Sequence, residues 1–98
     1  MRFEEVIWRE QFLDKISSKH HLDSSEVEEV LHGRPLVRRQ ERGHRPGQDL
    51  YVVYGQTDAG RYIVVFLIRT APRVAMPISA RDMTPRERRF YEARRQKS

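Results

Sequence analysis

The chain has 98 residues, with 19 Lys and Arg against 14 Asp and Glu, a formal charge of +5. Charged side chains make up 34% and hydrophobic ones 38%, so this length can bury one thin core and a two-domain arrangement is excluded. Cysteine is absent, which removes disulfides, thiolate nucleophiles and cysteine-held zinc.

The longest apolar run, Tyr62 to Ile68, falls far short of the ~20 residues of a membrane span. Arg2, Glu4, Glu5 and Arg9 break up the region where a signal peptide would be apolar. The expectation is a single domain over residues 1–98, soluble and cytoplasmic, with no metal and no cofactor. The charge is segregated. Residues 1–32 carry four basic and eight acidic side chains, net −4, and residues 33–98 carry fifteen and six, net +9. Sixteen of the 19 basic residues are arginines. A guanidinium grips phosphate with two parallel hydrogen bonds and stacks on bases, so this pattern points to a polyanion, nucleic acid first.

Phe3 to Trp8 reads as a short first strand. Trp8, Phe12, Leu13 and Ile16 then share one helical face, so a helix runs from Arg9 to about His20. A second helix opens with Asp23 as N-cap, Glu26 closing a capping box, and Leu22 stapled to Val27. Val27, Val30 and Leu31 form its buried stripe. Gly33, expected in the left-handed conformation, and Pro35 end it.

Leu36 and Val37 begin a modest strand running into Arg38 and Arg39, and Glu41 to Asp49 is a polar loop. Leu50–Gly55 and Arg61–Thr70 flank Thr57-Asp58-Ala59-Gly60 as a hairpin. The second of these strands is apolar on both faces and belongs at a sheet centre. Arg73 to Ser79 makes another strand, with Val74, Met76 and Ile78 alternating as its apolar side. Thr84-Pro85-Arg86-Glu87 starts a last helix that runs through Phe90 and Tyr91 to a basic tail. The whole reads as an α+β domain: an antiparallel sheet with two N-terminal helices and one C-terminal helix packed on it.

His20, His21, His32 and His44 show no metal-ligand spacing, and no phosphate loop, serine elbow or carboxylate pair stands out. Taken alone, each histidine reads as structural or as a surface residue. What remains is chemistry that needs only cations, imidazole and phenol. RNA can be cleaved with those if a base takes the 2′-hydroxyl proton, cations hold the charge at phosphorus, and an acid protonates the leaving 5′ oxygen. Arg69 closes the most apolar strand, Arg73 opens the next, and Arg81 sits beside a helix N-terminus that favours phosphate.

Ile78-Ser79-Ala80-Arg81, followed by Thr84-x-x-Glu87-Arg88-Arg89-x-Tyr91, resembles the BrnT family of type II toxins. Lys15-Ile16-x-x-Lys19-His20 before Glu26-Val27-Glu28-Glu29 agrees with it, as does Tyr54-Gly55-x-Thr57-x-x-Gly60-Arg61 with Val64-Val65. The resemblance implies a RelE-like fold and an endoribonuclease that inhibits translation. It also implies two partners: RNA, on the ribosome or free, and a small antitoxin, acidic or helical and DNA-binding. Such an antitoxin would cover the basic sheet face in a salt-sensitive complex. In that picture Lys19, His20, Arg69 and Arg81 converge as the catalytic set, with Arg73, Tyr62, Arg45 and Arg88 binding RNA. Two departures stand out: His21 replaces the family's glycine after the lysine–histidine pair, and Arg42, His44 and Arg45 occupy a loop that is usually acidic. The alternative is a non-catalytic RNA- or DNA-binding module on the same scaffold.

Overall fold

The computed structural model describes residues 2–41, 43 and 47–95. Its elements run β1 (Glu5–Val6), α1 (Glu10–His20), α2 (Ser24–His32), β2 (Leu36–Glu41), β3 (Asp49–Gln56), β4 (Tyr62–Ala71), β5 (Val74–Asp82) and α3 (Pro85–Arg95). The strands form one sheet in the order β1-β5-β4-β3-β2. β2 through β5 are antiparallel, but β1 pairs with β5 in parallel, so the sheet is mixed rather than antiparallel. β1 is also shorter than Phe3–Trp8, because Phe3 turns fully into the core and Trp8 packs against it.

β4 explains the layering. Ile63, Val65 and Leu67 point to one face and join Tyr51 and Val53 of β3 in the main core, beneath Ile16 of α1 and Val27, Val30 and Leu31 of α2. Tyr62, Val64, Phe66 and Ile68 alternate to the opposite face. There α3 docks, Phe90 against Tyr54 and Tyr91 edge-on to Tyr62. The N-terminal and C-terminal helices thus cover opposite faces.

β5 corrects the expected alternation. Ala75, Pro77 and Ala80 are the buried residues, whereas Val74, Met76 and Ile78 are only partly covered. The register shifts between Phe66 and Leu67, which pair with Ser79 and Pro77 and leave Ile78 bulged. Proline lacks the N–H of a regular ladder, and a bulge is where an inner strand tolerates it.

Helix ends also exchange roles. α2 has the expected capping box, with the Glu26 amide donating to Asp23 Oδ1 at 3.1 Å and the Asp23 amide to Glu26 Oε1 at 3.3 Å. Gly33, however, has φ −83° and is not left-handed. The left-handed cap lies at His21, φ 53°, whose amide donates to the Ile16 carbonyl. The histidine therefore takes the conformation a glycine would have eased, and α1 still stops there. Arg61 secures this corner, reaching the His20 and His21 carbonyls, Glu26 at 3.3 Å and Asp82 at 2.7 Å.

Two substitutions test this packing. Gly55 faces Val30 so closely that an added Cβ would sit 2.4 Å from Val30 Cγ1. Gly55→Ala is expected to destabilise by about 1–3 kcal/mol in urea unfolding. His21→Gly relieves a left-handed side chain at some cost in unfolded-state entropy and should raise stability by roughly 0.5 kcal/mol, read as a higher Tm.

Candidate active site

On the α3 face, a groove of about 470 Å³ opens between β2 and the start of α3, lined by Arg38, Val52, Tyr54, Phe66, Arg81 and Glu87 among others. Arg81 reaches it because it pairs with Val64, which belongs to that face. Its side chain is one-third exposed. Nη1 and Nη2 donate to the two Glu87 oxygens at 2.7 and 2.9 Å, and Nη1 also donates to the Asp82 carbonyl at 3.1 Å. The guanidinium lies 5.5 Å from the Phe66 ring centre. Among the described residues, three of its five N–H donors are thus engaged, and two are left for an anion.

Glu87 does two jobs. It accepts the fork of Arg81, and it closes the α3 capping box by accepting from the Thr84 amide at 2.8 Å. The Arg81 hydrogen bonds, supported by Thr84, hold its pKa at about 2, below the usual 4.5. The Arg81 guanidinium is correspondingly held more firmly protonated. Between β2 and α3, the Phe90 ring meets the Arg38 guanidinium at 5.0 Å and that of Arg94 at 3.8 Å. These cation–π contacts clip the helix to the edge strand.

The expected catalytic set is divided. Arg69 follows Leu67 on β4, so alternation turns it to the helical face, where Nη1 reaches Tyr51 Oη at 3.3 Å and Nε is buried without a partner. It is also five residues along β4 from Val64, the partner of Arg81, roughly 16 Å at about 3.3 Å per residue. His20 ends α1 at the same end of the sheet as Arg81, but on the helical side: its carbonyl accepts from Arg61, and its imidazole adds to the hydrogen bonds from Arg61 that lower the pKa of Asp82. Lys19 precedes it, exposed. The convergence expected of these four residues is therefore corrected: strand alternation sends Arg69 and Arg81 to opposite faces.

Of the expected RNA-binding residues, Tyr62 and Arg88 share the face of Arg81, the Arg88 guanidinium 4.0 Å from the Tyr62 ring centre. Tyr62 Oη donates to Glu92. Arg73 lies at the far end, in the β4–β5 turn, with φ 69° and an exposed ion pair to Glu4 at 3.6 Å. Arg45 lies outside the described residues. Arg38, Tyr54, Phe66 and Phe90 are not among the candidates that the sequence offers, and Glu87 enters there as the capping residue of α3. Same-face spacing of Tyr54 with Val52, and of Phe66 with Tyr62 and Val64, was the available signal.

A larger cleft of about 860 Å³, between the end of α2, the β3–β4 turn and α3, holds none of the expected site residues. Among the described residues, no group of three or more His, Cys, Asp or Glu is arranged to hold a metal ion. No helix there is long and apolar enough to cross a membrane.

The depressed pKa of Glu87 gives a pH signature. A carboxylate at 4.5 when unfolded and about 2 when folded adds stability that is complete above pH 4.5 and is lost as pH falls toward 2. Glu87→Gln keeps a residue able to cap α3 but removes the charge. The expected result is a wild-type Tm that falls more steeply than the variant's between pH 5 and pH 2.5, with the two curves parallel above pH 5.

These features can be set beside known proteins. No curated protein matches the chain in sequence. The family described as ribonuclease toxin, BrnT, of type II toxin–antitoxin system matches residues 8–87, which include β2 to β5, Arg81 and Glu87. With most of its length matched, the chain belongs to the BrnT family of ribonuclease toxins, whose systems pair each toxin with an antitoxin.

Proposed function

We propose that the chain is a metal-independent endoribonuclease that cleaves RNA and thereby inhibits translation in the cytoplasm, with the scissile phosphate seated in the α3-side groove beside Arg81. The observation that carries this reading is the Arg81 guanidinium: it is fixed on a sheet by two hydrogen bonds to Glu87, yet part-exposed, with two donors that have no partner among the described residues. A preorganised cation at the position where negative charge develops stabilises a transition state without having to move.

The groove suits single-stranded RNA in other ways. Its aromatic floor of Tyr54 and Phe66 offers surfaces for unstacked bases, and Arg38 adds charge at the rim. Lys19 and His20, at the same end of the sheet on the helical side, serve as contacts for the RNA backbone that flanks the cleaved step. An acidic antitoxin would meet the same arginines and exclude RNA by occupying them. A RelE-like layering, with the active face opposite the N-terminal helices, accommodates all of this.

The test is cleavage of naked and ribosome-bound RNA by purified protein in excess EDTA. Wild type is expected to cleave, and Arg81→Ala to lose about 10²–10³-fold in kcat, the range for removing one preorganised donor. RNA bound with salt-sensitive affinity but left intact would establish the non-catalytic alternative. Cleavage abolished by EDTA would overturn metal independence.

A further inference from the structure

One row across three strands carries an inference about the reaction. Tyr54 of β3 pairs with Val64 of β4, and Val64 pairs with Arg81 of β5. Paired residues share a face, so the Tyr54 phenol and the Arg81 guanidinium rise from the same side of the sheet with the buried Val64 between them. Neighbouring strands lie about 4.8 Å apart, which places the two backbones roughly 10 Å apart and leaves room above Val64 for one phosphate touched by both side chains.

The other three tyrosines are committed elsewhere. Tyr51 Oη accepts from Arg69, Tyr62 Oη donates to Glu92, and Tyr91 is the buried residue of α3, 6% exposed. Tyr54 is half-buried, its ring held against Phe90 at 5.4 Å, and its hydroxyl has no hydrogen-bond partner among the described residues. The ring is anchored, and Tyr54 lines the groove.

Resting on the reading of the groove as the phosphate site, we propose that Tyr54 is a catalytic residue that protonates the leaving 5′ oxygen. The 2′ oxygen of the preceding ribose bonds to phosphorus and its proton passes to water. The bond from phosphorus to the 5′ oxygen breaks, and that oxygen takes the Tyr54 proton. The products are a 2′,3′-cyclic phosphate and a free 5′-hydroxyl. Water then returns a proton to the phenolate, so protons balance and no oxidant or reductant is needed. A phenol gives its proton readily to an alkoxide, the far stronger base. Arg81 favours the step twice, steadying first the charge on the phosphorane and then the charge on the phenolate.

Tyr54→Phe tests this while keeping the ring contact with Phe90. Cleavage of single-stranded RNA should fall about 10²-fold in kcat, the lower range for losing a general acid. Affinity for an uncleavable RNA with 2′-deoxyribose at the scissile step should stay within twofold, and the Tm should be unchanged. RNA with sulfur in place of the scissile 5′ oxygen, whose leaving thiolate needs no proton, should be cleaved equally by wild type and variant. Full activity of Tyr54→Phe on ordinary RNA, or an equal loss on the sulfur-substituted RNA, overturns the proposal and leaves the groove reading standing. Wild-type protein that leaves RNA intact removes both.

Discussion

The rest of the molecule is organised by β4, a central strand buried on both faces through Ile63, Val64 and Val65. Ile63, Val64, Val65 and Leu67 are all fully buried, though alternate ones belong to different layers. A strand apolar on both sides must be covered twice. The first 32 residues supply one cover, as two short amphipathic helices, and residues 85–95 supply the other. The second cover is a single helix that shields only part of its face. The uncovered remainder, beside the helix start and floored by aromatic rings, is the groove.

Two ion-pair clusters at the Asp82 end of the sheet hold the covers in place. On the helical side Arg61 joins the start of α2 to β5 through Glu26 and Asp82. On the other side Arg81 joins β5 to the start of α3 through Glu87. Part-exposed pairs of this kind contribute little to stability individually. Their value here is geometric, because each guanidinium is pinned by several acceptors at once and its plane is set before any ligand arrives. Glu87 couples the position of Arg81 to an intact helix cap, so the groove and the helix that walls it form together.

What could be read from the residues was whatever depends on neighbours in sequence. Both capping boxes, Asp23 with Glu26 and Thr84 with Glu87, form as expected, as does the hairpin around Thr57 to Gly60. These are local hydrogen-bond patterns with fixed spacing. The features that escaped depend on partners distant in the chain. The parallel pairing of β1 with β5 joins residues about seventy positions apart. Gly33 was assigned the left-handed turn because glycine accepts it most easily, yet packing placed that turn at His21. The site suffered most. Arg69 and Arg81 both sit at strand ends rich in arginine, and only the pairing register shows that they face away from each other. Tyr54 looked like one more apolar strand residue until its row was known.

The bulge at Ile78 has a consequence of its own. Before it, odd-numbered residues of β5 point into the main core; after it, even-numbered ones do, as Ala75, Pro77 and then Ala80 show. The bulge thus takes up one residue without a ladder partner and preserves the phase of everything downstream, so that Arg81 faces the groove and Asp82 faces Arg61. In descendants of this chain, substitutions along β5 would tune the site and loss of the bulged residue would leave Arg81 opposite Val64, but a one-residue slip that drew Ile78 into the ladder would exchange the two side chains. The site's orientation is written in the register of a strand pairing, a property that moves in whole steps and tolerates no intermediate.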